Sequence, residues 1–283
     1  MPAVLGFLIA LSIALTGVGA GTLTVPLLML FLGVPAPVAV ALGLTFAAAV
    51  KLLLAPTQIA RRTVSWPVLR SMLVGGLPGV LLGSLLLNHW VGGNFRALLH
   101  ASLGLVLIAT AAIQIFFHFR PARERVIATS QTIPRSRAFL LPWLMLPVGA
   151  EVGFSSAGAG ALGSAALLTF TTLAPAQIVG TDIVFGAILS LTGALAHGLP
   201  QALHAPLLLP MLLGGVPGAF TGTMLATRLP RRHLRLALWL VLLTLGGQLL
   251  HSGLAARAGS IQRLASASPS PASLSWPIPI PAH

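Results

Sequence analysis

Cysteine is absent from the sequence, and charged residues make up only 7% of its 283 positions. Without cysteine the chain forms no disulfide, no thiol redox relay and no iron–sulfur centre. The low charge content excludes an ordinary soluble domain, in which roughly a quarter of the residues are charged. Apolar residues instead supply 56% of the chain. Both features predict an integral membrane protein.

Acidic residues are scarcer still. Only Glu124, Glu151 and Asp182 stand against 16 lysines and arginines, which gives a formal net charge of +13. In a soluble protein this balance would favour a nucleic acid partner. Here nearly all the basic residues fall between apolar runs, where they orient the chain and contact anionic lipid headgroups. We therefore expect the lipid bilayer, and no nucleic acid, as a partner.

Motifs for nucleotides and metals are also missing. No stretch of the form G-x-x-x-x-G-K-[ST] occurs, so we do not expect the chain to hydrolyse ATP. The stretch "GVGAGT" is not a dinucleotide fingerprint, because Thr22 occupies its last glycine position and no strand precedes it. The eight histidines are scattered without metal-ligand spacing. We expect neither a cofactor nor a metal.

Apolar segments recur along the chain, and each is long enough for a helix to cross hydrocarbon, which takes ~20 residues. They are too long and too evenly apolar for barrel strands, which alternate over ~10 residues. The predicted fold class is therefore an all-α integral membrane protein with eight hydrophobic segments. In order they are Val4–Leu32, Val38–Ala60, Val68–Leu87, Ala97–Phe117, Phe139–Leu173, Ile178–Ala196, Pro206–Ala226 and Leu234–Leu250.

An internal duplication appears when the chain is moved against itself by 139 residues. The run "SMLVGGLPGVLLG" (Ser71–Gly83) then lies on "PMLLGGVPGAFTG" (Pro210–Gly222). The same offset, with no gap, places Gly19 on Gly158. Glycines and prolines that match at one offset over much of the chain are not expected from apolar composition alone. The sequence thus predicts two homologous four-segment repeats.

The duplication divides the chain into four parts. The first membrane repeat spans residues 4–118 and the second spans residues 143–257. Between them lies a basic linker, residues 119–142, with five arginines. The tail, residues 258–283, is mostly serine, alanine and proline with little to bury, so we expect it to be disordered.

Loop arginines indicate how the repeats are oriented, because cytoplasmic loops carry the excess of positive charge. If all eight segments cross, the arginines divide 10 against 5; if segments one and five enter, break and return, they divide 12 against 3. The second division favours inverted repeats with a cytoplasmic linker. The majority side then holds Arg61, Arg62, Arg70, Arg120, Arg123, Arg125, Arg135, Arg137, Arg228, Arg231, Arg232 and Arg235.

The glycine-rich stretch "LTGVGAGTLTVP" interrupts segment one. As a single helix this segment would extend ~44 Å at 1.5 Å per residue, well beyond ~30 Å of hydrocarbon. We therefore predict helix breaks at Gly17–Gly21 and, in the second repeat, at Ser155–Gly160. The alternative is a close-packing face between helices, since Gly17 and Gly21 have the small-xxx-small spacing.

Two such breaks would leave half-helix N-termini facing the middle of the membrane from opposite sides. Each presents unpaired N–H groups and a partial positive charge, which suits an anion. Transporters with discontinuous helices use this arrangement. Nearby hydroxyls add donors. The predicted binding residues are Thr16, Gly17, Gly19, Gly21, Thr22, Ser155, Ser156, Gly158 and Gly160.

Three charged residues fall inside apolar segments, where a charge costs roughly 2.5–3.5 kcal/mol on insertion scales. In the inverted arrangement Lys51 and Asp182 lie at similar depth and can pair. The alternatives are a static ion pair, or a lysine that extends alone to the headgroups. Glu151, whose repeat counterpart is Ser12, precedes the second glycine cluster. It is a candidate proton-coupling group, or a partner for the broken backbone.

With "GVGAGTLTVPLLMLFLGVP", then "VGGLPGVLLGSLL", and later "GGVPGAFTGTMLATRLPRRHLRLAL", the chain resembles the sulfite exporter TauE/SafE family of membrane permeases over both halves. That family has a loop of the form G-x-G-G-G, a few apolar residues and a proline, in two copies. Asp182 departs from the hydroxyl usual at its position. The matches are Gly17, Gly19, Gly21 and Pro26 in the first copy, with Ala20 for a glycine, and Gly158 and Gly160 in the second, with Ala165 for the proline.

The resemblance implies secondary transport of small sulfur oxyanions or organosulfonates across the bacterial inner membrane, with protons or the membrane potential as the driving force. A transporter of another solute and a membrane-embedded enzyme are the alternatives. An enzyme needs a nucleophile beside a base, and the nearest approach is Glu151 four residues before Ser155. A non-transporting assembly factor would not need buried charges.

Overall fold

The computed structural model describes residues 1–16, 20–91, 96–119, 140–156, 160–198, 205–225 and 240–255, and within them every regular element is an α-helix. The prediction of an all-α protein is confirmed. In chain order the helices are α1 (Pro2–Thr16), α2 (Ala20–Leu32), α3 (Ala36–Ala60), α4 (Trp66–Val91), α5 (Arg96–Phe119), α6 (Leu140–Ser155), α7 (Ala161–Phe170), α8 (Pro175–Ala196), α9 (Ala205–Leu225) and α10 (Leu240–Ala255).

Four helices, α3, α4, α8 and α9, are long and apolar enough to cross a membrane, but they differ in burial. In α3 and α8, 72% and 67% of the apolar window is buried, against 44% and 33% in α4 and α9. A helix that is apolar and buried on all sides lies in the interior. The central pair is therefore α3 and α8. Large apolar side chains that face outward, toward lipid, include Val74, Leu82 and Leu85 on α4 and Leu213, Phe220 and Met224 on α9.

The two central helices run in opposite directions. Leu44 of α3 lies beside Gly193 of α8. Seven residues further along α3, Lys51 lies beside Gly186, which is seven residues earlier on α8. Ser65, just after α3, donates its backbone N–H to the Thr181 hydroxyl, near the start of α8. As the residue number increases along α3, the number of the contacting residue on α8 decreases, so the two helices are antiparallel.

Helices α4 and α6 are parallel and in close backbone contact. Gly75 lies against the carbonyl of Pro142, and Gly79 lies against the carbonyl of Leu146. A Cβ at either glycine would overlap that oxygen, so the contact requires glycine. Helix α8 runs the same way as α4, because Gly76 contacts Phe185 and Val80 contacts Gly193.

The path between α6 and α8 follows from these directions. Gly153, near the end of α6, accepts a hydrogen bond from His197 at the far end of α8. The 22 residues of α8 span ~33 Å, so its first residue lies that far from the end of α6. Helix α7 must therefore run back along α8. Gly163, in its first turn, already lies beside Asp182.

The contacts of α1 with α9 repeat those of α6 with α4. Gly214 lies against the carbonyl of Ala3, and these positions are offset by 139 from Gly75 and Pro142. Three further contacts repeat at the same offset. The contact of Gly79 with Leu146 corresponds to that of Gly218 with Phe7, and the contact of Gly83 with Ala150 corresponds to that of Gly222 with Leu11. The contact of Gly76 with Phe185 corresponds to that of Gly215 with Phe46.

The predicted interruptions of segments one and five have different outcomes. Helix α6 ends at Ser155, and Ser156 has a φ of 63°, a left-handed conformation that a non-glycine residue rarely adopts and that ends a helix. The second break is therefore confirmed. The first was predicted at Gly17–Gly21; α1 ends at Thr16, Gly21 already lies in α2, and residues 17–19 lie outside the described residues. So do the linker over 120–139 and the whole predicted tail.

Candidate functional site

The confirmed break places two serines in the interior. Ser155 is 1% exposed, and its hydroxyl donates to the backbone carbonyl of Glu151. Ser156 is 4% exposed, and its Oγ is buried with no hydrogen-bond partner. It faces the central helix α3, where a Cβ at Gly43 would lie 3.2 Å from that Oγ. A buried hydroxyl without a partner is uncommon and is available to a ligand.

The other predicted binding residues lie at helix ends or outside the described residues. Gly17, Gly19 and Gly158 belong to the second group. The others lie at helix ends. Thr16 is the last residue of α1, Gly21 and Thr22 lie in the first turn of α2, and Gly160 is the N-cap of α7.

The N-terminus of α7 lies inside the fold. Gly160 is buried, and no side chain caps the first N–H groups of this ten-residue helix. Unpaired N–H groups at a helix start carry a partial positive charge. Because Gly163 lies beside Asp182, this charge is located next to the central helix α8.

Lys51 and Asp182 are brought together by the central helices. Each is 3% exposed, and they interact electrostatically. Lys51 Nζ lies against Gly186, where a Cβ would overlap it. The lysine therefore extends to α8, and the alternative in which it reaches the headgroups alone is wrong. Asp182 accepts a hydrogen bond from Ser164 of α7, while its Oδ1 is buried without a partner.

Glu151 contacts a different neighbour, α5. Its Oε1 lies 2.5 Å from the Thr110 hydroxyl, and its Oε2 is buried without a partner. The same hydroxyl lies 2.8 Å from the carbonyl of Val106. A hydroxyl has one proton to donate, so it serves only one of these two acceptors. If Thr110 donates to Val106, the hydrogen bond to Glu151 requires a protonated carboxyl.

His197 was missed as a structural residue by the sequence reasoning. It is 4% exposed, its Nε2 lies 2.8 Å from the Gly153 carbonyl, and its Nδ1 lies 3.2 Å from the Asn88 Oδ1. It thereby joins the ends of α8, α6 and α4. Burial lowers the pKa of His197 below its ordinary value. The signal in the sequence was its repeat counterpart, Gln58, a second polar residue at the end of an apolar segment.

Comparison with known proteins gives one family. The model described as sulfite exporter TauE/SafE matches residues 3–249, which run from the start of α1 into α10. No curated protein and no solved structure gives a match. The family consists of membrane transporters of the sulfite and small-anion type, which agrees with the apolar helices and the interrupted segment. The chain, a multi-pass membrane protein, belongs to the sulfite exporter TauE/SafE family.

Proposed function

We propose that this protein is a secondary transporter of a small anion, of the sulfite or organosulfonate type, across the bacterial inner membrane. One observation carries the proposal: the chain interrupts a helix in its interior, so that the uncapped start of α7 lies beside central helices that hold Lys51. A buried lysine and a helix start without a side-chain cap both favour an anion. The Ser156 hydroxyl, which has no partner, supplies a further donor.

The two repeats, residues 4–118 and 143–257, are inverted in this proposal. The antiparallel course of α3 and α8 supports it, because these helices are counterparts at the offset of 139. In each repeat the first two helices enter and return on one side, as α7 runs back along α8 after α6. The site then lies at the interface of the repeats, as in other transporters built from inverted repeats.

The driving force is a proton gradient or the membrane potential. Glu151 and Asp182 are the two acids among the described residues, and each has a buried carboxyl oxygen without a partner. Intramembrane carboxyls that are placed in this way often carry coupled protons. Glu151 is favoured further by its contact with Thr110, which accommodates a protonated carboxyl.

Counterflow in sealed proteoliposomes tests the transport function. Purified protein should exchange labelled sulfite or a labelled organosulfonate against the same unlabelled anion. Lys51→Gln should abolish the exchange, whereas Arg61→Gln, which removes an exposed positive charge just after the same helix, should preserve it. Folded wild-type protein that exchanges no small anion would contradict the proposal.

Epitope accessibility tests the inverted topology independently. Tags inserted in the linker at residues 119–142 and in the tail at residues 258–283 should be reached from opposite sides of the membrane. The linker tag should be accessible from the cytoplasm. Labelling of both tags from one side would require parallel repeats.

A further inference from the structure

The charges at the centre of the fold suggest how an anion and a proton are bound together. We propose that Lys51 holds the transported anion, and that Asp182 releases Lys51 to the anion by taking up one proton from solution. This inference rests on the proposed function. It adds that the substrate is a singly charged anion and that binding itself consumes one proton.

The position of the lysine supports its role. The Lys51 amine lies in the interior, against the backbone of α8 at Gly186. Without a side chain, Gly186 leaves room for the amine beside the helix that carries Asp182, one turn earlier. A buried ammonium needs an opposite charge nearby, and in this protein Asp182 supplies it.

The aspartate has capacity for a proton. It accepts a hydrogen bond from Ser164, but its Oδ1 is buried and unpartnered next to Gly163. A buried, ionised carboxylate normally accepts hydrogen bonds at both oxygens, because a buried charged oxygen without a hydrogen bond is unfavourable. A proton at Oδ1 removes the charge that makes this arrangement unfavourable.

The start of α7 makes the same place attractive to an added anion. Gly163 belongs to the first turn of this helix, whose N–H groups have no side-chain cap. Asp182 therefore lies where a substrate anion would be attracted, between the helix start and Lys51. The carboxylate acts as an internal counterion when the site has no substrate.

Charge balance then links the proton to the anion. Lys51 and ionised Asp182 together are neutral, and a second anion would leave one negative charge buried. Protonation of Asp182 restores neutrality. Lys51, on α3, is the one ionisable group that interacts with Asp182 within the described residues. From α7 the neighbours are the neutral Ser164 and Gly163, and from α6 the Glu151 carboxyl contacts Thr110 instead.

Both charges occur once, although the fold is duplicated. The repeat counterpart of Lys51 is Ser190, and that of Asp182 is Gly43. One protein molecule therefore has one such site. We expect this site to take up one proton with each anion that it binds.

Isothermal titration calorimetry with methanesulfonate tests the inference. The charge of this sulfonate does not change over the pH range used, so every proton taken up enters the protein. Titrations in two buffers of different ionisation enthalpy give the number of protons bound with each anion. We expect one in the wild-type protein. Affinity should rise about tenfold for each unit by which the pH falls, wherever Asp182 is ionised in the empty site.

Three variants assign the effect to residues. Asp182→Asn should bind methanesulfonate without proton uptake and with an affinity independent of pH. The double variant Lys51→Gln with Asp182→Asn has neither charge and should fold but not bind, which separates loss of binding from loss of structure. Arg61→Gln should bind and take up a proton like the wild type. If Asp182→Asn fails to fold, the wild-type proton count still decides.

The outcomes separate this inference from the proposed function. Wild-type binding without a proton, or a proton still bound by Asp182→Asn, would overturn the inference. Sulfite counterflow by the same preparation would in that case leave the transport function in place. Absence of both sulfite exchange and binding of either anion would overturn the two together.

Discussion

The two halves of the molecule share their packing but not their polar residues. At equivalent positions, glycines of α4 contact α6 and glycines of α9 contact α1. Buried polar groups differ: Glu151 replaces Ser12, and Asp182 replaces Gly43. The comparison teaches that the backbone contacts recur at the offset of 139 residues, whereas each buried charged residue occurs at one of the two equivalent positions only.

The glycine contacts should be equally sensitive in both halves. Gly75→Ala and Gly214→Ala each place a Cβ into a backbone carbonyl of the neighbouring helix, which cannot move aside as a flexible side chain would. We expect each to destabilise the protein by about 3 kcal/mol or to prevent folding. Thermal unfolding in detergent measures the effect.

Gly247→Ala on α10 is the matched control, because a Cβ there meets open space. Its stability should be unchanged or slightly higher, as alanine favours the helix. If only one of Gly75→Ala and Gly214→Ala strongly lowers the stability, the two contacts are not equivalent.

The Glu151 carboxyl, near the second helix break, should affect the pH dependence of transport, whereas its counterpart near the first break should not. Glu151→Gln removes a proton site and keeps the shape of the side chain beside Thr110, so we expect the pH dependence of anion uptake to weaken. If Asp182 takes up a proton with the anion, as proposed above, the pH dependence should not vanish. Uptake rates over a range of pH in proteoliposomes measure this.

Ser12→Ala alters the equivalent position in the first repeat and should leave the pH dependence as it is, because the Ser12 hydroxyl donates to Leu8 within α1. If Glu151→Gln has an unaltered profile, Glu151 has no coupling role. If the pH dependence disappears completely in Glu151→Gln, Asp182 has no role in proton coupling.

Sequence patterns predict the elements of this fold better than their contacts. Apolar length gives the helices, and the glycine and serine cluster gives the break at Ser155. The direction of the Lys51 side chain was not predictable, because headgroups and Asp182 offer alternative partners and only the packing of α3 on α8 decides. His197 and Asn88 are 109 residues apart, and their contact depends on how three helices meet.

Replacement of His197 by its repeat counterpart tests the polar contact at the helix ends. His197→Gln should lose the hydrogen bond to the Gly153 carbonyl, which costs about 1 kcal/mol of folding free energy. Because burial lowers the pKa of His197, the unfolded chain binds the proton more readily than the folded chain. Wild-type stability should therefore fall as the pH drops below about 6.5.

Thermal unfolding at several pH values measures both effects. The part of the acid-side slope that belongs to His197 should disappear in His197→Gln. His251→Gln removes a histidine that is exposed on α10, so the slope should persist there. An unchanged slope in the His197 variant would assign the pH dependence to other groups.

Ser156→Gly gives the second break the residue that its counterpart, Gly17, supplies in the first. The φ of 63° at Ser156 is unfavourable for a side chain and costs glycine nothing, so stability should rise by about 1 kcal/mol. Anion affinity should fall, because the unpartnered Oγ is lost. Ser156→Ala should lower affinity in the same way without the gain in stability, since its φ is strained like that of serine. Equal stability of the glycine and alanine variants would show that the conformation carries no cost, and full affinity in both would remove Ser156 from the site.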